Sequence, residues 1–140
     1  MDPILKKMNF KEGMKIRVWN VPTDLESLIE TWRKEGWMTG PNEKPNFLLA
    51  FVETEEEVGK IFPQLHVLSP EDEILWMAYP KGTSKKYKAQ INRDSGWKKV
   101  GELDYEVVRQ IAIDADWSAL RFRKMKFIKT MTRKFSTKDQ

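Results

Sequence analysis

Cations and aromatic residues alternate in one polar segment of the chain, residues 81–101. Lysine and arginine side chains can hold phosphates, while tyrosine and tryptophan rings can stack on bases. The residues that this pattern predicts for binding an anion or a nucleic acid are Lys81, Lys85, Lys86, Tyr87, Lys88, Arg93, Trp97, Lys98 and Lys99, together with Arg133 near the C-terminus. In the alternative interpretation, Tyr87 and Trp97 anchor a long solvated loop on the core.

Positive charge is concentrated in two parts of the sequence. Residues 81–99 hold seven Lys or Arg against one Asp, and residues 121–140 hold eight against one Asp. The rest of the chain has ten basic and 19 acidic residues, although the net charge of the whole is +4. Such segregation forms a positive patch only where the two basic segments meet in the fold, which the sequence leaves open.

A second set of polar residues lies at the ends of apolar runs. Lys81 comes after Pro80 at the end of one such run, Asp116 directly precedes a later run, and Ser118 and Arg121 lie near or within that later run. Because open α/β sheets bind ligands at the carboxyl ends of their strands, these four residues predict an alternative pocket for a small molecule. In a purely structural interpretation, Asp116 instead forms an ion pair with Lys81 or Arg121.

Several classes of site are excluded by composition. The chain has no cysteine and one histidine, His66, so thiolate chemistry and a histidine metal cluster are absent. Its seven glycines contain no G-x-G pair, and the turn at residues 19–23 has none of the glycines with which nucleotide-binding loops approach a phosphate. We therefore expect no metal, no cofactor and no assigned catalytic residue, with His66 at a helix end or on the surface.

Strand and helix patterns alternate along the chain. Strands are predicted at Lys15–Asn20, Phe47–Val52, Ile74–Tyr79 and Trp117–Phe122. Capping boxes at Thr23–Glu26 and Thr54–Glu57 predict helices after the first two strands. Pro63 is expected to kink or end the second helix near Phe62. A further helix is predicted after Asp104, where apolar residues recur through Ala115 at helical spacing.

This alternation predicts an α/β domain: a single-layered, mostly parallel sheet of four to five strands with helices packed on it and right-handed crossovers. The layering is Rossmann-like or methyltransferase-like. A chain of 140 residues suits one domain. We expect a polar lead-in at 1–12, a core at 13–123 that includes the basic loop 81–101, and a basic tail at 124–140.

Three segments resemble a family of small bacterial proteins whose function is unknown: Phe47–Val52, Ile74–Lys81 and Asp116–Phe122. The shared features are a Trp followed by Pro-Lys at a strand end and a Trp-Ser-x-Leu-Arg-Phe strand near the C-terminus. The order of elements is also similar to part of a class I methyltransferase. These resemblances imply a fold and no reaction. The resemblance to the bacterial family spans about Phe10 to Arg123 and explains neither the long basic insertion between Lys81 and Asp104 nor the basic tail.

The expected function is therefore binding without catalysis. No apolar run reaches the roughly 18 to 20 residues that span a bilayer, so we expect a cytoplasmic protein that does not enter membranes. The first hypothesis is a module that binds nucleic acid or another polyanion through the basic loop and tail. The alternative is a degenerate methyltransferase-like domain that binds a small molecule or nucleotide cofactor near Lys81 and Asp116.

Overall fold

The computed structural model describes residues 2–128 and contains one five-stranded sheet with helices on both faces. This arrangement confirms the predicted α/β fold class. The strands are β1 (Ile16–Trp19), β2 (Phe47–Phe51), β3 (Ile74–Pro80), β4 (Tyr105–Ala112) and β5 (Trp117–Lys124). The helices are α1 (Pro3–Lys7), α2 (Glu26–Lys34), α3 (Glu55–Val67) and α4 (Lys98–Glu102). Within the described part of the chain, no helix is both long and apolar enough to traverse a bilayer.

The sheet is mixed, since four of its five strands run in one direction and β5 runs in the other. Its strand order is β1-β2-β3-β5-β4. The pairs β1–β2 and β2–β3 are parallel, whereas β5 is antiparallel to both of its neighbours. Only a short turn joins β4 to β5, and a connection of that length permits antiparallel pairing alone. The resulting hairpin inserts β5 between β3 and β4.

Strand β4 replaces the helix predicted after Asp104, so that prediction is wrong. A bulge shifts the register of β4 against β5 between Val107 and Arg109. Tyr105 and Val107 consequently pack on one face of the sheet, whereas Ile111 packs on the other. One extra residue changes the phase of the strand's alternation, so the apolar positions acquire spacings typical of a helix.

Side chains from the two faces of the sheet form two separate cores. On the first face, which we call face one, Phe47, Leu49 and Trp76 pack against α1 and α2. On the opposite face, face two, Leu48 and Met77 pack against α3 and α4. Strands β2 and β3 are buried at every position, as expected for strands covered on both sides.

The N-terminal residues belong to the face-one core, which corrects their description as a polar lead-in. Leu5, Met8 and Phe10 are buried. Asp2 caps α1 by accepting from the Ile4 amide at 2.7 Å, and it also accepts from Trp32 Nε1 at 3.1 Å. The five-residue helix α1 is too short to produce a recognisable period in the sequence.

The two capping boxes differ in outcome. Thr54 Oγ1 accepts from the Glu57 amide at 3.1 Å and caps α3 as predicted. Thr23 makes no capping side-chain bond and instead begins a 3₁₀ turn that leads into α2. Helix α3 passes through Pro63 to Val67, contrary to expectation. Its residues on both sides of the proline, Phe62 and Leu65, are fully buried, and this burial offsets the lost backbone hydrogen bond.

The connections that follow β1 and β2 leave the sheet on opposite faces. Helix α2 packs on face one and α3 on face two. The connection after β2 leads to β3, whereas the one after β1 first forms a parallel bridge between Met38 and Ile16 and only then reaches β2. The expectation of right-handed crossovers therefore stays a prediction.

Candidate ligand-binding crevice

A crevice opens where the chain leaves β1 toward face one and β2 toward face two. Diverging connections of neighbouring parallel strands separate the backbone at the carboxyl ends, the usual ligand position in open α/β sheets. The cavity has a volume of about 260 Å³. Its lining residues come from the ends of β1 and β2, the start of β5 and the basic loop: Asn20, Val21, Pro22, Thr23, Phe51, Glu53, Glu57, Tyr87 and Trp117.

Asn20 makes the turn after β1 without glycine. Its φ of 57° lies in the left-handed region, which asparagine tolerates better than most side chains. Its Nδ2 donates to the Phe51 carbonyl at 3.3 Å and so ties the end of β1 to the end of β2. A sharp turn is therefore present even though the glycine fingerprint is absent.

Two glutamates form the wall that follows β2. Glu57 Oε1 accepts from the Glu53 amide at 2.8 Å, and both side chains are half-buried. Thr54 Oγ1 accepts from the Glu57 amide, so the first turn of α3 is capped by neighbouring residues of the chain. An anion at this helix end would meet carboxylates where an uncapped helix offers free amides.

Aromatic rings form the base of the crevice. The ring centroid of Trp117 lies 5.3 Å from that of Phe51 and 5.0 Å from that of Tyr87. Trp117 is only 2% exposed, and its indole N–H has no acceptor among the described residues. A buried donor without an acceptor costs about 1–3 kcal/mol.

The start of the basic loop is bound to the edge of the crevice. Tyr87 Oη donates to Asp24 Oδ2 at 3.0 Å, and Lys86 Nζ forms an ion pair with the same oxygen at 3.3 Å. The hydrogen bonds from Tyr87 and Lys86 hold the pKa of Asp24 below its usual value. Ser84 Oγ donates to Asp116 Oδ1 at 2.8 Å and accepts from the Tyr87 amide. Lys86 and Tyr87 are thus engaged within the fold.

The four residues of the predicted strand-end pocket do not form one site. Two of them, Lys81 and Asp116, are in contact, because the Lys81 amide donates to the Asp116 carbonyl at 2.8 Å. Ser118 is paired with Tyr79 and is buried on face two. Arg121 is paired with Trp76 in the middle of β3 and faces the opposite side of the sheet from Ser118. The crevice instead opens between β1 and β2.

The residues that the sequence predicts to bind nucleic acid also do not form one site. Trp97 is fully buried, with its Nε1 donating to the Asn92 carbonyl at 2.7 Å, so its ring is inaccessible to a base. The anchoring alternative is therefore confirmed for Trp97. Five cations are exposed and form no ion pair with any residue in 2–128: Lys85, Lys88, Arg93, Lys98 and Lys99. Arg133 lies outside the described residues.

The basic loop and the described start of the basic tail lie mainly at opposite ends of the sheet. Lys81 follows the carboxyl end of β3, whereas the C-terminal end of β5 lies beside the start of β3. There, Lys124 Nζ donates to the Glu71 carbonyl at 2.8 Å, and Arg123 pairs with Asp72 at 2.6 Å. At this end of the sheet, the Met125 amide also donates to the carbonyl of Asp104, which lies between α4 and β4.

His66 lies in the last turn of α3, which confirms its predicted helix-end position. Its Nδ1 is 2.9 Å from Tyr105 Oη, and burial raises the pKa of that tyrosine. Among residues 2–128, no three His, Cys, Asp or Glu side chains are grouped so that they could hold a metal ion.

No protein-family model matches the chain, and no curated protein matches it. The resemblance to a bacterial family through three short motifs therefore stays a prediction. Among solved structures, the chain is similar to a protein in the NADB-Rossmann superfamily from Streptococcus agalactiae. The two are 10% identical, the match covers 89% of this chain and 68% of that one, and the TM-score is 0.49. A likeness of this degree carries nothing about a ligand, and the α/β assignment rests on the strand order itself.

Proposed function

We propose that this domain binds a small polar ligand in the crevice at the carboxyl ends of β1 and β2. The supporting observation is the divergence of α2 and α3 to opposite faces, which opens a cavity of about 260 Å³ that is lined in part by Trp117. At roughly 30 Å³ for each water molecule of liquid, this volume suits a small metabolite.

The test is a titration followed by ¹H–¹⁵N NMR with three probes of similar chain length: 4-amino-1-butanol, 1,4-butanediol and 4-hydroxybutyrate. At least one probe is expected to produce saturable shifts of the Trp117 indole N–H and of the Asn20 and Glu53 amides. The indole signal of Trp76, which donates to the Met8 carbonyl inside the core, serves as the internal control. Shifts at the exposed lysines alone, or at no residue, would contradict the proposal.

A second candidate function is binding of a polyanion such as RNA, favoured by the five exposed cations without ion pairs in 2–128. The proposed contact includes Lys98 and Lys99 of α4. Replacing both with alanine is expected to lower affinity for a 12-nucleotide RNA. The same change should reduce the slope of log affinity against log salt by roughly 0.7 for each lost phosphate contact.

The matched control for that double variant is Lys6→Ala with Lys7→Ala, since these lysines are also adjacent, exposed and at the end of a five-residue helix. Equal losses in both double variants would indicate a general charge effect and would argue against a site on α4.

A further inference from the structure

We infer that the ligand of the crevice is a small organic ammonium that also carries a neutral oxygen acceptor, an amino alcohol in its simplest form. This inference rests on the proposed function, because it names the ligand class for the same cavity. It follows from the charge of the walls, the aromatic base and the unpartnered donor, which are independent features of the site.

The walls of the crevice are negative although the chain as a whole is positive. The nine lining residues include Glu53 and Glu57 and contain no Lys or Arg. A third carboxylate, Asp24, is bound to the lining residue Tyr87, and the nearby cation Lys86 pairs with that same Asp24. The two glutamates are half-buried, so water screens their charges less than it screens exposed carboxylates such as Glu55 and Glu56.

The aromatic base also favours a positively charged ligand. The rings of Tyr87 and Trp117 are inclined at 55° with centroids 5.0 Å apart, and Phe51 contacts Trp117 edge-on. Ring faces attract cations, and tryptophan does so most strongly. Carboxylates beside aromatic rings therefore provide both kinds of partner that an ammonium group requires.

The wall after β2 is unfavourable for an anion. The Glu57 amide is occupied by Thr54 Oγ1 and the Glu53 amide by Glu57 Oε1. Three glutamates stand in the first turn of α3, where a phosphate would otherwise interact with the positive end of the helix. Selection against phosphates and carboxylates is therefore built into the same residues that would attract an amine.

The Trp117 indole adds the second requirement. Trp117 lines the crevice, and its N–H is buried without an acceptor within residues 2–128, so a ligand oxygen that reaches this N–H would be favoured. A hydroxyl or carbonyl oxygen satisfies this donor and leaves the ammonium group for the glutamates. A plain alkylamine can pair with the glutamates but offers no oxygen to the indole N–H.

The probe panel tests the ligand class directly. The order of affinity expected for the unmodified protein is 4-amino-1-butanol first, then 1,4-butanediol, with 4-hydroxybutyrate weakest. The substitutions Glu53→Gln and Glu57→Gln are expected to weaken binding of the amino alcohol by roughly five- to tenfold each and to leave the diol unchanged. In Glu57→Gln, the side-chain oxygen of the glutamine can still accept from the Glu53 amide.

Glu56→Gln is the matched control, because it removes the same charge from the same helical turn at an exposed residue that pairs with Lys60. The affinity of this variant for the amino alcohol should stay within twofold of the affinity of the unmodified protein. Equal weakening by Glu56→Gln and Glu57→Gln would overturn the inference.

The two levels of the proposal fail in different ways. If the diol or 4-hydroxybutyrate shifts the Trp117 indole at lower concentration than the amino alcohol does, the ligand class is wrong while the crevice remains a binding site. If no probe shifts that indole, the binding function itself is wrong. The panel on the unmodified protein decides both points even if a glutamine variant folds poorly.

Discussion

Replacing Trp76 with alanine is expected to lower the free energy of unfolding by about 3–5 kcal/mol. Trp76 lies in the middle of β3 and is fully buried against α1 and α2 on face one. Its Nε1 donates to the Met8 carbonyl at 3.1 Å. The substitution therefore leaves a cavity between the sheet and the N-terminal segment and removes the donor of a buried carbonyl.

Urea denaturation followed by circular dichroism measures this loss. Trp76→Phe removes the hydrogen bond and a part of the ring but retains most of the volume, so it should cost less than the alanine variant. Val67→Ala, at a side chain that is 77% exposed, should change stability by no more than about 0.5 kcal/mol. A loss below about 1.5 kcal/mol for Trp76→Ala would be incompatible with the packing described for face one.

The second large effect is expected at Leu5, a residue from the segment that the sequence indicates to be a polar lead-in. Leu5→Ala should lower the free energy of unfolding by about 2–5 kcal/mol, because the side chain is fully buried in the face-one core. The same urea experiment measures it, with Lys7→Ala as the control on an exposed residue of the same helix.

Comparable stability of the Leu5 and Lys7 variants would show that α1 does not pack on the sheet in solution. In that case the Trp76 hydrogen bond to Met8 would also be absent. The two predictions are therefore linked, and the indole N–H of Trp76 should exchange with solvent faster in Leu5→Ala than in the unmodified protein.

The parts of the fold that could be predicted are those in which one physical signal dominates. Strands β2 and β3 are apolar throughout, and a continuous apolar run of five to seven residues between turn signals is typical of a strand buried on both faces. Thr54 marks the start of α3 by a local rule that needs no tertiary information. Strand β4 could not be predicted because its bulge imitates a helical period, and only its partner β5 reveals the true alternation.

The candidate site was predictable only as a region. The carboxyl ends of the strands can be identified from the sequence, but Lys81 and Asp116 stand out there because charge is conspicuous in a sequence. The crevice depends on α2 and α3 lying on opposite faces, and each helix has an apolar side that would fit either face. Glu53 and Glu57 appear in the sequence as ordinary acids near a helix start, so their role at the cavity follows only from the topology.

The interior position of β5 has a consequence for synthesis on the ribosome. Residues 117–124 are made after every other strand, yet they separate β3 from β4. Until they emerge, the hydrogen-bonding edge of β3 lacks its final partner, and β4 has no strand to pair with. The nascent chain therefore exposes an apolar strand edge of the kind that recruits other chains, and the sheet can close only after residue 124 has emerged.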